Sequence, residues 1–341
     1  MRNYDYRVEI IRNGARVKEL KAKSAPRICF NSDSEIKSGM SGIFKADAEF
    51  RPLTDELKVI QIIDGIEYSA GIYSVSTLTD KYTDNEHDVN IESYDRCFLL
   101  QSTRTETMYH ISSGTNYVEA VKELLSKAGI ALYIARPTTS TMSTDREDWD
   151  IGTSYLAIIN QLLSEINYSP IWFNSDGYAM IQPEPAITPE NISHRLIGNE
   201  ITVLGENCSS VLDIYNAPNV IIAVCNNPDS DTPLTSVAVN DNPLSSLSVF
   251  NRGRRISQVY RVDNIADQSA LDEYANKIMN ESMLTSETVT ALTANLPNFG
   301  YKDIIEIEHS QIRGLYVDAK WEMTLKAGSQ MRHTLRRSVL I

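Results

Sequence analysis

Five histidines, four cysteines and a surplus of carboxylates are the residues through which this chain of 341 could do acid–base, nucleophilic or metal chemistry. The histidines are His87, His110, His194, His309 and His333. None stands in H-x-H or H-E-x-x-H spacing, which would set two imidazoles on one side of a metal. Cys29, Cys97, Cys208 and Cys225 are scattered, with no C-x-x-C pair. That scatter argues against a zinc site and a disulfide framework, and reads as four small buried hydrophobes in a reducing compartment. Asp229-Ser230-Asp231 brings two oxygen donors together but lacks the glycine and closing glutamate of a calcium loop. Gly39-Met40-Ser41-Gly42 lacks the G-x-S-x-G spacing of a nucleophile elbow, so its glycines read as relief for a tight strand or bulge. Neither a P-loop nor G-x-G-x-x-G occurs, and carboxylates are too plentiful to single out a pair. The sequence predicts no catalytic, cofactor-binding or metal-binding residue.

Charge is the other chemistry on offer. Lys and Arg number 32 against 45 Asp and Glu, a net charge of −13. Such a chain repels phosphate backbones, so non-specific nucleic-acid binding is not expected, and no specific nucleic-acid binding is expected either. The imbalance is uneven. Residues 1–27 hold eight basic side chains, among them Arg2, Arg7, Arg12, Arg16 and Lys18, against three acids. Asp145-Arg146-Glu147-Asp148-Trp149-Asp150 is acidic, and Arg252-Gly253-Arg254-Arg255 is a second basic cluster. Solvated faces would account for all three; complementary protein interfaces would use them to fix register and orientation. Of the three tryptophans, Trp172 and Trp321 sit in apolar strands and read as core, leaving Trp149 as the one expected to be exposed.

The elements that must position these residues are mostly strands. Asn13-Gly14, Asp64-Gly65 and Asp176-Gly177 each lie between β-rich arms and predict hairpins, because a type I′ turn needs positive φ at both central residues. A further strand is expected over 87–100. Between about 112 and 182 the period changes. Tyr117, Val121, Leu124, Leu125 and Ala128 share one helical face with Gly129 as the stop, and Leu156, Ile159, Leu163 and Ile166 share another. Residues 137–150 between them read as an exposed loop. Pro183, Pro185 and Pro189 read as a linker. Strands return from about 201, with a polar excursion over 226–242, and one helix capped by Asp267 carries Leu271, Tyr274, Ala275, Ile278 and Met279. At roughly 150 residues per domain, 341 residues make two or three domains. The N-terminus has no apolar core for a signal peptide, and the longest apolar runs are far too short to span a membrane. The expectation is a chain folded in a cytoplasm, with no membrane partner.

The two β-rich regions echo one another. Ile60-Gln61-Ile62-Ile63 precedes a turn and Gly71-Ile72-Tyr73; Ile304-Ile305-Glu306-Ile307 precedes a turn and Gly314-Leu315-Tyr316. This fits two copies of one small β domain separated by an insertion.

The run over 34–42, then Ile62-Ile63-Asp64-Gly65-Ile66-Glu67-Tyr68 and Gly71-Ile72-Tyr73-Ser74-Val75-Ser76, resembles the N-terminal part of phage tail proteins from Gram-positive hosts. These are the baseplate hub or tail-associated proteins related to the central hub of contractile phage baseplates. Ala270-Leu271-Asp272-Glu273-Tyr274-Ala275, Lys302-Asp303-Ile304-Ile305-Glu306-Ile307 and Trp321-Glu322-Met323-Thr324-Leu325 resemble the second tube-like domain of such hubs. The resemblance implies a mainly β chain with an α+β insertion: a tube-like β-barrel domain over 1–110, a middle α+β module over 111–190, and a second, related barrel over 191–341 with one internal helix. It implies a homotrimer that meets tail tube protein, a spike or tail-tip protein, other baseplate proteins and the tape measure protein, in a tail or phage-tail-like particle assembled in the host cytoplasm. It brings no catalytic motif and no cofactor. The chain is expected to end at Ile341 without an added hydrolase or adhesin domain. A tail-tip cell-wall hydrolase and a binder of host-surface carbohydrate are the alternatives. Interface residues expected from charge and loop position are Arg2, Arg7, Arg12, Arg16, Lys18, Asp145, Glu147, Asp148, Trp149, Arg252, Arg254 and Arg255.

Overall fold

The computed structural model of the chain describes residues 3–84, 86–197, 209–212, 217–225, 233–262, 265, 267–284, 287–308 and 312–337. It opens with β1 (Tyr4–Arg12) and β2 (Ala15–Glu19), joined by Asn13 and Gly14 at φ of 51° and 76° as the hairpin demands. Next come β3 (Arg27–Asn31), β4 (Ser38–Lys45), β5 (Glu56–Ile63), β6 (Ile66–Tyr82) and β7 (His87–Tyr94). The strand expected over 87–100 stops at Tyr94. Asp95 Oδ1 accepts the Cys97 N–H at 2.9 Å and turns the chain into a helix, α1 (Cys97–Ser102).

The middle region holds β8 (Tyr109–Ile111), α2 (Tyr117–Lys127), β9 (Tyr133–Ala135), β10 (Arg146–Trp149), α3 (Tyr155–Glu165), β11 (Trp172–Phe173) and β12 (Ala179–Ile181). Asn116 caps α2 by accepting from the Val118 and Glu119 N–H groups, and Ser154 caps α3 by accepting from Ala157. Val121, Leu124 and Leu125 of α2 meet Leu156, Ile159 and Leu163 of α3 in one hydrophobic cluster. The segment 137–150 is not the exposed loop expected. Its β10 pairs with β8, and Met142, Arg146 and Trp149 are buried.

The remaining elements are β13 (Ile192–Ile197), β14 (Ser209–Leu212), β15 (Val220–Cys225), β16 (Leu234–Val239), α4 (Val249–Arg252), β17 (Ser257–Val262), α5 (Gln268–Leu284), β18 (Glu287–Ala294), β19 (Ile304–Glu308), β20 (Arg313–Thr324) and β21 (Gln330–Arg337). β16 occupies part of the expected polar excursion, pairing with β15 along its whole length. Asp267 Oδ1 accepts the Ala270 N–H at 2.8 Å at the start of α5, as its sequence predicts. The expected strand over 201–204 lies outside the described residues.

Thirteen strands share one sheet, in the order β14-β18-β21-β20-β3-β4-β7-β6-β5-β1-β2, with β19 beside β20 and β13 beside β19. No closed barrel forms among the described strands, against the expectation of two. The reason is the length of β20, which spans 12 residues. Its first half pairs with β19 and its second half with β3, so its edge runs on into the other region's sheet. The core of the first region accordingly continues into the last: Ile28, Phe30, Phe44, Leu57, Tyr73 and Ile91 share one cluster with Val289, Ile305, Tyr316, Trp321 and Leu335.

Strand order is the same at the two ends of the chain. β4-β7-β6-β5 and β18-β21-β20-β19 are both antiparallel throughout, with β3 beside β4 and β14 beside β18. Gly71 and Gly314 hold φ of 127° and 131°, which only glycine adopts without strain. Two residues on, Tyr73 and Tyr316 are each 1% exposed. Five residues after each glycine, at Ser76 and Ala319, the register to the next strand slips by one. A bulge there flips the inward face: Tyr316 and Asp318 point in before it, Trp321 and Met323 after it. The pairings also correct the echo's alignment. Gly71 faces Val59 and Gly314 faces Ile307, so Leu57-Lys58-Val59, rather than Ile60 to Ile63, answers Ile305-Glu306-Ile307.

Candidate interaction surfaces

The fold brings together one set of side chains that resembles catalytic machinery. His333 Nδ1 lies 2.7 Å from Asp318 Oδ2, and His333 Nε2 lies 3.0 Å from Thr293 Oγ1. Three adjoining strands, β18, β21 and β20, supply them, and the bulge at Ala319 sets Asp318 on the inner face. Burial pushes the Asp318 carboxyl up, against the pull of His333. All three side chains are within 1% of full burial, so no substrate reaches them. In the register of the first region the same positions are held by Phe44, Ile91 and Val75. The polar chain stands where the other copy of the pattern has apolar core. Sequence spacing could not show it, because 15 and 40 residues separate its members. Among the described residues no three His, Cys, Asp or Glu side chains group as metal ligands, and no helix is long and apolar enough to cross a membrane.

Arg7 and Arg12 on β1 and Arg16 and Lys18 on β2 each stand against an acid of their own chain. Arg7 pairs with Glu9 at 2.7 Å and Glu67 at 2.9 Å, and Arg16 also reaches Glu9 at 2.6 Å. Arg12 pairs with Asp55 at 2.7 Å, and Lys18 with Asp47 at 2.8 Å. The pairs hold the Asp47, Asp55 and Glu67 carboxyls below the usual range through hydrogen bonds from Lys18, Arg12 and Arg7 respectively. The local positive surplus is thus largely neutralised along the sheet edge. Arg2 lies outside the described residues.

In the acidic segment Asp145 accepts the Ser113 N–H at 2.7 Å and Glu147 lies 3.3 Å from His110 Nδ1. Nothing is described of the Asp148 side chain. Trp149, expected to be exposed, is 3% exposed: its indole donates to Gln161 Oε1 at 2.9 Å and stacks under Arg146. Arg146 is itself buried in a two-pronged bond to Glu165 at 2.7 and 2.9 Å, with the Tyr117 hydroxyl on the same carboxylate. That pair holds β10 onto α3 and makes the segment a wall of the core. Arg252 donates to the Ala217 carbonyl at 2.6 Å. Arg254 and Arg255 project outward and make no ion pair among the described residues. Cys29 is exposed, unlike Cys97 and Cys225.

A cavity of about 230 Å³ opens where the first, middle and last regions meet, between Tyr73, Asp95, Trp172, Phe299 and Trp321. The indole N–H groups of Trp172 and Trp321 and the Gln61 Oε1 have no hydrogen-bond partner among the described residues. Buried polar atoms of this kind in a roomy site are met by ordered water. Around it, Glu184 ties the junction together, accepting from Tyr301 at 3.1 Å and Lys302 at 3.0 Å.

No protein-family model matches the sequence, and no curated protein matches it. Solved structures do match its fold. A tail protein from Neisseria meningitidis superposes with a TM-score of 0.69 at 13% identity, over 98% of this chain and 97% of that one. A 43 kDa tail protein of a Shewanella oneidensis prophage gives 0.66 at 9% identity, over 98% and 99%. A prophage tail protein from Listeria monocytogenes gives 0.62 at 13% identity, over 98% and 95%. The fold of this chain from end to end is that of phage and prophage tail proteins.

Proposed function

We propose that the chain is a structural protein of a phage tail or phage-tail-like particle, acting as a baseplate hub. The observation that carries this is the internal repeat: five strands in one order at each end, each with a glycine at φ near 130°, a buried tyrosine two residues on and a bulge five residues on. Two independent strands have no reason to share all three offsets, so the regions 1–110 and 191–341 are two copies of one tube-like unit, with 111–190 inserted between them. Three chains then present six equivalent units. Such a ring sits on a six-fold tail tube while offering three-fold symmetry to a spike or tip protein, and rotation closes it. Tail tube protein, the spike, other baseplate proteins and the tape measure protein are its partners, and the virion tail is its place. The residues that could form catalytic groups serve the core, which supports a structural rather than an enzymatic role.

Mass measurement under native conditions tests the reading. A trimer, alone at high concentration or on adding tail tube protein, is expected. A chain that stays monomeric and never joins tube protein refutes it.

A further inference from the structure

β16-β15-β17 form a three-stranded sheet whose inner face is covered by α5. Ile221, Ala223 and Cys225 pack there against Leu271, Ala275 and Met279. The outer face is also apolar. Val237, Ile222 and Val259 stand in one rung across the three strands, and Val237 and Val259 are 56% and 52% exposed. β15 and β17 are parallel, and parallel strands are ordinarily covered on both faces. The rim of the open face carries Arg254, Arg255 and Arg261, all exposed and without an ion pair among the described residues.

The middle region offers the counterpart. Residues 97–190 contain 11 acidic and five basic side chains. The segment at 105–109 runs beside 149–153, with Thr105 N–H donating to the Thr153 carbonyl and Gly152 N–H to that of Thr105. Met108 and Ile151 stand exposed there, at 54% and 68%. Glu106, Glu147 and Asp150 are exposed along the same two segments, three acids beside one exposed arginine, Arg104, which donates to the Gly152 carbonyl at 2.7 Å. One surface is thus apolar with a basic rim and the other apolar with an acidic rim.

We propose that the outer face of β16-β15-β17 docks on the Met108–Ile151 surface of a second copy of this chain. The two patches differ, so the contact is head-to-tail, and three repeats of it close the ring. Burial of the valines and of Met108 and Ile151 drives the contact. The opposed rims fix its register and speed encounter. This surface rests on the trimer reading above.

Charge reversal tests it. Arg254→Glu/Arg255→Glu in one variant and Glu147→Arg/Asp150→Arg in another change only exposed rim groups, so circular dichroism should match the wild type. Light scattering across a concentration series at low salt should place the assembly midpoint of each variant at least about tenfold higher. All four substitutions in one chain should bring it back to within about threefold, because reversed rims again attract. Variants that assemble like the wild type, or a quadruple variant no better than either parent, overturn the surface and leave the trimer standing. A wild-type chain that stays monomeric both alone and with tail tube protein overturns both.

Discussion

The buried Asp318–His333 pair provides its own control elsewhere in the molecule. Both side chains are fully buried, and Asp318 Oδ1 has no hydrogen-bond partner among the described residues. Removing one member leaves the other polar and dry. Asp318→Val alone should therefore cost about 3 kcal/mol, the upper end of the penalty for leaving a buried hydrogen-bonding group without its partner. The other copy of the strand pattern already shows an apolar solution, with Val75 and Ile91 at the equivalent positions. Asp318→Val/His333→Ile installs that solution. Thr293 retains its hydroxyl bond to the Ala294 carbonyl at 2.9 Å. The double variant should lie within about 1 kcal/mol of wild type, or above it. The coupling between the two substitutions is then at least about 2 kcal/mol. Hydrogen exchange of the peptides spanning β20 and β21, read by mass spectrometry, gives the local opening free energy of these strands without requiring the whole chain to unfold in one step. A double variant as destabilised as the single one would refute the equivalence of the two sites. A single variant costing under about 1 kcal/mol would refute the claim that the pair is dry.

Two further outcomes follow from single positions. At Gly71 a Cβ would sit 2.5 Å from the Tyr73 hydroxyl, whereas at Gly314 it meets nothing within 4 Å. Both alanine variants carry backbone strain of about 1–3 kcal/mol, and Gly71→Ala should melt lower than Gly314→Ala; the reverse order in thermal unfolding would contradict the geometry. Burial pushes the Asp95 carboxyl from 3.8 up to about 6. Between those values the folded chain keeps a proton that the unfolded chain has lost. Asp95 therefore lowers stability as pH rises through that window, by at most about 3 kcal/mol. Asp95→Asn should remove that slope from a plot of melting temperature against pH, although it gives up the acceptor for the Ser38 N–H; an unchanged slope refutes the assignment.

Much of the fold is legible in the sequence because it is written locally. Asn13-Gly14 and Asp64-Gly65 declare their turns, and Asn116 and Ser154 start their helices with side-chain oxygens that accept nearby backbone N–H groups, while Gly129 at φ of 78° follows the end of the first. Trp149 is misread because its surroundings in sequence are acidic, while its surroundings in space are Gln161, Arg146 and Tyr109. The stretch at 137–150 has the composition of a loop, and a buried Arg146 bonded to Glu165 overrides that composition. The closed barrels are misread for a different reason. Alternation along a strand fixes which face is buried but says nothing of which strand lies at its edge, and β20 has two neighbours on one side. The Arg and Lys residues of β1 and β2 are visible as charges, but their partners at Asp47, Asp55 and Glu67 come from 29 to 60 residues away and cannot be read from the N-terminal segment.

The two copies of the strand pattern differ in a way that bears on how such a unit assembles. What they share is internal: the glycine, the tyrosine and the bulge that set the curvature of four neighbouring strands. Apart from the buried Asp318–His333–Thr293 chain, what they do not share lies at the edges. β1 joins β5 antiparallel while β13 joins β19 parallel. The step from β3 to β4 is a short loop, while that from β14 to β18 carries the small sheet and α5. A ring of repeated units requires equal curvature from each unit and tolerates differences at its rims. Under the proposed reading, the small sheet inserted in only one copy breaks the six-fold equivalence. A contact made through it recurs three times around the ring, so the three-fold character of the assembly originates in the parts present once per chain, that insertion and the middle region, rather than in the repeated strands.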